Sequence, residues 1–125
     1  MPRRDRGSAT LEVAILAPVL LLVVFTIIQV GLWSYARSLA LGAAQEGVAT
    51  GRAHGSPVGA GQARAQSFLD ATAGDSLVGS TVTLTATAAT LRIEVTGRAL
   101  SVLPGVPGLP VRQRAEGPIE RFTTP

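Results

Sequence analysis

An uncharged run of 24 residues constrains this chain more than any other feature. Residues 13–36 read VAILAPVLLLVVFTIIQVGLWSYA, with Gln29 as the one strongly polar member. As an α-helix the run is about 36 Å long, whereas the hydrocarbon core of a bilayer is about 30 Å thick. Thr26 can satisfy its hydroxyl on the backbone of its own helix. We therefore predict a transmembrane helix segment within residues 8–36.

Particular side chains mark the middle and the ends of this predicted span. Val13 opens the uncharged run. Pro18 removes one backbone hydrogen bond and is expected to bend the helix, which membrane helices tolerate. Trp33 and Tyr35 lie near the far end, where aromatic rings favour the membrane interface. These four residues are the predicted membrane-span markers.

The flanking charges predict an orientation. Residues 1–7 read MPRRDRG, and basic flanks stay on the cytoplasmic side of a membrane. We expect a single-pass protein of the cytoplasmic membrane, with its N-terminus in the cytoplasm and residues 37–125 outside. A secretory signal peptide is the competing interpretation, but its apolar region is usually about 7–15 residues long and ends at an A-x-A site. The present run is longer and ends in WSYAR.

Composition argues against several other functions. The chain has no cysteine, so it forms no disulfide. Its eleven basic residues are all arginine and are scattered outside the leader, without the basic stripe typical of nucleic-acid binding. His54 stands alone in a glycine-rich loop, where a solvated surface histidine is expected, and no His/Cys/Asp cluster has metal-site spacing. The serines have no identifiable base. We expect no enzyme activity, no metal, no cofactor and no nucleic-acid partner.

The residues after the span predict a helix continuation and a short second helix. Together with Ala36, the predicted continuation, residues 37–52, carries two rows of small residues at helical spacing. Such rows allow close packing against another membrane helix, but because they lie outside the span we favour the alternative that they face the protein's own core. The rows are Ala36, Ala40 and Ala44, and Ala43, Gly47 and Gly51. Residues 62–73 predict a short helix with a weak apolar face. That face is formed by Ala63, Phe68 and Leu69, with Ala65 and Thr72 beside them.

Alternating patterns predict a small antiparallel sheet. Residues 81–88 and 91–99 alternate between apolar and polar side chains across a short gap, which indicates a β-hairpin. Residues 111–117 add an edge strand after the turn-rich PGVPGLP connection of residues 104–110. The predicted fold class is α+β: a long N-terminal transmembrane helix that continues into a small extracytoplasmic domain, residues 53–118, with a short helix and this sheet. A frayed tail follows from residue 119.

The residues before the span form a recognisable pattern. A short basic leader ends at Gly7; Ser8 follows, and Glu12 is the fifth residue after the glycine. This arrangement resembles the class III leader of type IV prepilins. The resemblance implies that a prepilin peptidase cuts after Gly7, that Ser8 becomes the N-terminus, and that the apolar helix is retained.

Glu12 has two interpretations. In an assembly, its carboxylate could face the new amine of Ser8 on a neighbouring subunit, with a Coulomb attraction of about 4 kcal/mol at about 4 Å and an effective dielectric of about 20, before desolvation is subtracted. Alternatively, Glu12 is an ordinary first-turn acid, with Ser8 or Thr10 as the N-cap.

Further motifs narrow the resemblance. Residues 12–18 read EVAILAP, with alanine where the family usually has leucine before the proline; residues 35–37 read YAR, and residues 42–49 read GAAQEGVA. Over residues 6–52 the chain is similar to the TadE-like family of tight-adherence pilus systems, although Gln45 replaces an arginine and Val13 an often aromatic residue. The resemblance implies a minor pilin or pseudopilin whose partners are other pilin-like subunits, inner-membrane assembly proteins, the peptidase and membrane lipid. An uncleaved single-span envelope protein with a small binding domain and a released secreted domain remain alternatives.

Overall fold

The computed structural model describes the backbone of residues 3–53, 55–57 and 59–119, and side chains within these ranges from Ser8 onward. His54, predicted to be a surface histidine, and residues 120–125 of the predicted tail lie outside the described residues. The described chain contains a very long helix, a short helix and a three-stranded antiparallel sheet. The predicted α+β class is confirmed.

Helix α1, Arg3–Gly51, combines the leader, the apolar run and the predicted continuation in one element of 49 residues. Pro18 lies inside the helix without ending it, and its predicted bend stays a prediction. Thr26 Oγ1 donates to Leu22 O at 2.7 Å, as expected of a hydroxyl in apolar surroundings. Because the helix already begins at Arg3, neither Ser8 nor Thr10 is its N-cap, and that interpretation of the full-length chain is wrong.

Helix α2, Ala60–Thr72, lies against α1 and buries Gly61, Ala65 and Leu69. The predicted face was partly wrong, because Ala63 and Thr72 are exposed. The buried positions recur every four residues from Gly61, whose backbone touches α1. The face of α2 is thus set by the close approach of two helices, which the weak apolar pattern did not reveal.

The sheet has the order β1-β2-β3, with β1 at Leu77–Ala86, β2 at Thr90–Ala99 and β3 at Pro110–Pro118. The predicted hairpin and edge strand are confirmed, but β1 begins at Leu77 rather than residue 81 and ends at Ala86 rather than residue 88. The register is irregular between Val78 and Thr81, where Gly79 has a φ of 62°. Because this irregularity interrupts the alternation of apolar and polar residues, the sequence pattern did not predict the first residues of β1. Residues 87 and 88 belong to the turn between β1 and β2, which is closed by hydrogen bonds between Thr87 and Thr90.

The core lies between α1 and the inner faces of α2 and the sheet. Ile93 and Val95 on the central strand are fully buried. Both small-residue rows of α1 face this core, which confirms the prediction that they pack within the chain. The buried apolar cluster comprises Ala36, Leu39, Ala40, Ala43, Ala44, Val48, Ala65, Leu69, Ala73, Leu77, Val82, Ile93, Val95, Ala99 and Val111.

Strand β2 runs antiparallel to α1, which fixes where the rest of the fold lies along the helix. An added Cβ would meet Leu91 at Gly51 and Ile93 at Gly47, whereas Leu100 contacts Gln29 at the other end. We call residues 60–118 the head. The head lies beside residues 29–51 of α1, and residues 8–28 extend beyond it.

Candidate functional site

The surface that most needs explanation is the apolar helix beyond the head. Its large hydrophobic side chains are 38–65% exposed, and in the most apolar 18-residue window of this helix only 6% of the residues are buried. Burial of such side chains away from water is favourable by about 1.5–3 kcal/mol each, so this surface needs an apolar environment. The exposed set includes Leu11, Val13, Ile15, Leu16, Val19, Leu20, Leu21, Leu22, Val23, Val24, Phe25, Ile27 and Ile28.

The side chain of Gln29 marks the point where the head begins. It is 6% exposed; its Nε2 donates to Leu100 O at 2.9 Å, and its Oε1 accepts from Val102 N–H at 2.9 Å. The amide thus binds the backbone on both sides of Ser101, as the N–H and C=O of one residue in a neighbouring parallel strand would. Both polar atoms of this side chain inside the apolar run therefore have a hydrogen-bond partner in the head.

The aromatic markers of the predicted span lie at different positions around α1. The indole Nε1 of Trp33 donates to Pro110 O at 3.1 Å, and the Arg37 guanidinium lies 4.8 Å from the centre of the Trp33 ring. Tyr35 is half exposed. Trp33 thus contacts the head one turn beyond Gln29; the membrane-interface role of both aromatic rings stays a prediction.

The processing and assembly residues lie at the opposite end of the exposed segment. Gly7 belongs to α1, although side chains before Ser8 are outside the described part of the chain. Ser8 and Glu12 are both exposed and are four residues apart, so they lie on one face of the helix with an axial separation of about 6 Å. The structure therefore places Ser8 and Glu12 together and leaves both open to another molecule.

The head carries polar surface but no convergent reactive cluster among its described residues. Three exposed ion pairs, Arg64–Glu46, Arg92–Glu116 and Arg112–Glu94, have N–O separations of 3.4, 2.5 and 3.5 Å. Within the described residues, no three His, Cys, Asp or Glu side chains come together as a metal site would require. An open hollow of about 210 Å³ lies between the start of α2 and the β1–β2 hairpin, without a charged side chain among its described lining residues.

Sequence reasoning missed the roles of Gln29 and of Gly61. Gln29 was recognised as polar but not as the contact between α1 and the head; an isolated amide inside an apolar run was the available signal. Gly61 approaches α1 so closely that an added Cβ would lie 2.5 Å from Gly47 O. No corresponding signal was available in the sequence, because Gly61 precedes the predicted helix of residues 62–73 and lies inside a helix only in the structure.

The fold and the exposed segment define a protein class: one long apolar helix near the N-terminus, followed by a small α+β head, as in a single-pass membrane protein. The family model described as TadE-like protein matches residues 7–49, which confirms the resemblance to that family over almost all of α1 and relates the chain to pilus-associated proteins. Comparison with curated proteins and with solved structures gives no match.

Proposed function

We propose that this chain is a membrane-anchored TadE-like minor pilin or pseudopilin that takes part in assembly of a tight-adherence type pilus or a related secretion apparatus. One observation carries the proposal. The segment that matches the TadE-like model is also the helix whose residues 8–28 are uncovered by the head and preceded by the Gly7–Ser8 leader pattern. The proposal includes no enzyme activity and no cofactor.

The position of the head fixes the membrane boundary in this proposal. A buried glutamine bound to the head cannot also face lipid, so the hydrocarbon ends just before Gln29. The 21 residues from 8 to 28 are about 31 Å long as a helix, which matches a hydrocarbon core of about 30 Å. The span therefore starts and ends earlier along the chain than the uncharged run of residues 13–36.

This boundary places Glu12 inside the hydrocarbon rather than at its edge. Four residues separate it from Ser8, so its carboxylate lies about 6 Å within the apolar layer. A charged group at that depth is unfavourable unless it is paired. Removal of the leader after Gly7 creates a cationic α-amino group on Ser8, and that group on a neighbouring subunit is the partner we propose.

The orientation and the partners follow from the same arrangement. The basic leader stays in the cytoplasm and the head lies outside the cytoplasmic membrane. Prepilin peptidase acts at Gly7–Ser8, membrane lipid surrounds the span before assembly, and other pilin-like subunits and inner-membrane assembly proteins bind the retained helix. An incorrect axial register would leave Glu12 unpaired, so the acid contributes specificity more than net stability.

The mass of the mature protein tests the proposal. The chain is expressed with a prepilin peptidase, purified from the membrane fraction and measured intact. A species that begins at Ser8 is expected; Gly7→Leu should abolish it because the added side chain blocks close approach to the backbone, whereas Gly31→Ala should leave cleavage unchanged. An intact leader in the native sequence, or a cut beyond Ala36, contradicts the pilin mechanism.

An uncleaved single-span envelope protein is the second candidate, and one observation favours it. Helix α1 continues without interruption across the Gly7–Ser8 peptide bond, so a peptidase must first unwind that turn. In this alternative the head binds an envelope partner and Glu12 has no pairing role. Glu12→Ala would then leave both location and complex formation unchanged.

A further inference from the structure

The connection between β2 and β3 is an apolar loop at the end of the head that faces the exposed helix. The 100–109 loop reads LSVLPGVPGL and has no charged residue. Leu100, Val106 and Leu109 are 39, 50 and 43% exposed. A cluster of large hydrophobic side chains in a solvent-exposed loop is unusual, and such a cluster indicates an interaction surface.

The loop has a defined shape rather than an open one. Val106 N–H donates to Leu103 O at 3.2 Å, with Pro104 and Gly105 between them and Gly105 at φ 72°. Proline followed by a glycine of positive φ is the arrangement of a type II turn. The Ser101 hydroxyl donates to Val106 O at 2.5 Å, so the turn is held at its base as well.

The loop lies at the level where α1 leaves the head. Strand β2 runs toward the N-terminal part of α1, and the Gln29 side chain binds both Leu100 O and Val102 N–H. The chain then turns at residues 103–106 and returns to Trp33 through Pro110. The loop therefore lies at the level of Gln29, next to the end of the uncovered apolar segment at residue 28.

Positively charged side chains surround the base of the loop, and a bilayer surface favours such an arrangement. Arg98 precedes the loop and Arg112 follows it, both exposed, while Arg37 lies over Trp33 nearby. Arg112 also contacts Glu94. Long basic side chains beside an apolar surface suit the headgroup layer, where their charges stay hydrated above the acyl chains.

We propose that the 100–109 loop is a second membrane contact, which inserts its Leu and Val side chains into the interface of the same bilayer that α1 crosses. The Gln29 amide holds the loop and the helix at a common depth, so the head rests on the membrane in a fixed orientation instead of swinging on a single helix. The inference rests on the membrane span of the proposed function.

Depth-dependent quenching tests this contact, and the absence of cysteine from the chain makes single-cysteine labelling clean. Val106→Cys probes the loop, Leu20→Cys the middle of the span, and Ala89→Cys the exposed β1–β2 turn at the other end of the head. Each full-length variant carries an environment-sensitive fluorophore in vesicles of phosphatidylcholine and phosphatidylglycerol. Spin-labelled lipids quench from a shallow or a deep acyl position.

The label at Leu20 should be quenched most by the deep position and the label at Ala89 by neither. The label at Val106 should be quenched about threefold more by the shallow position than by the deep position, because interfacial side chains reach only about 5–10 Å into the headgroup and acyl boundary. If the Leu20 label is quenched but the Val106 label is quenched no more than the Ala89 label, the loop contact is overturned and the membrane span is retained. Loss of quenching at Leu20 would remove the span and the loop contact together.

A second copy of the chain is the other possible cover for the loop. In that case the Val106 label would be shielded from aqueous iodide yet unquenched by lipid, and dilution of protein in lipid would restore iodide access. That result would overturn the lipid contact. Val106→Ser without a label should retain the hydrogen-exchange pattern of the head. When the same substitution is combined with a fluorophore at Leu109→Cys, that fluorophore should lose its quenching by the shallow position.

Discussion

The Gln29 side chain explains how one helix can carry an uncovered apolar segment and also form part of the core of the head. Its amide supplies a donor to one side of Ser101 and an acceptor to the other, so no buried polar side-chain atom of the described chain lacks a partner. Apolar side chains precede Gln29 without cover, and small core-facing residues follow it. This one residue therefore separates two environments along α1.

Replacement of Gln29 by leucine should loosen the head where it meets the span. Leu100 O and Val102 N–H would lose their partners, and each unsatisfied buried group costs about 1–3 kcal/mol. Hydrogen exchange should show faster exchange at the Val102 amide. Gln45→Leu, on the exposed side of α1, is the matched control and should change stability by less than about 0.5 kcal/mol. Unchanged protection at Val102 would contradict the role assigned to the amide.

Replacement of Glu12 by glutamine tests the pairing with the amine of a neighbouring subunit. The amide keeps the size but loses the charge, so assembly should fall about tenfold, which corresponds to about 1.4 kcal/mol. Crosslinking between copies in the membrane measures this, and cleavage at Gly7 should be unaffected. Glu46→Gln is the control, because it disrupts an exposed pair with Arg64 that contributes about 0–1 kcal/mol. Equal assembly by both variants would refute the pairing.

At the scale of elements, the crossing of α1 and α2 depends on glycine. An added Cβ at Gly47 would lie 2.5 Å from Ile93 Cδ1 and 2.7 Å from Gly61 O. Distances this short cannot be accommodated without separating the helices. The small-residue row of α1 is therefore a contact surface inside the protein, and it is not available for packing against a neighbouring span.

Alanine at Gly47 should destabilise the head by about 1–3 kcal/mol, because overpacking outweighs the gain of about 1 kcal/mol in helix propensity. Denaturant unfolding of the head, followed by circular dichroism in detergent, measures the change. Gly31→Ala is the matched control, since an added Cβ there meets nothing within 4 Å. A Gly47→Ala variant as stable as Gly31→Ala would show that the close crossing is not required.

Sequence patterns predicted the helices and strands well where apolar or small residues recur with one regular spacing along the chain. The apolar run, the alternation in β2 and β3, and the small-residue rows of α1 each follow from one local rule, and the helices and strands lie where those rules put them. The predicted start of β1 was wrong because Gly79 shifts the register, and the predicted face of α2 was partly wrong because a contact with Gly47 sets it. Contacts distant in sequence, such as Gln29 with Leu100, have no local signature.

At the scale of the whole molecule, the head is attached along the C-terminal half of one continuous helix. Its hydrogen bonds and core contacts to α1 extend from Gln29 to Gly51, about 33 Å along the axis. The head and this half of α1 should therefore behave as one rigid unit. In the proposed membrane arrangement, motion of the whole unit relative to the bilayer is governed by the uncovered residues 8–28 and by the 100–109 loop.

Labelling of single cysteines with a membrane-impermeant maleimide tests the central claim, a bilayer-spanning α1 with an external head. In spheroplasts, Thr83→Cys on the outer face of β1 should be labelled without lysis, whereas Leu20→Cys should resist labelling in both spheroplasts and inverted vesicles. Labelling of Thr83→Cys only in inverted vesicles, or ready labelling of Leu20→Cys from either side, would contradict the account.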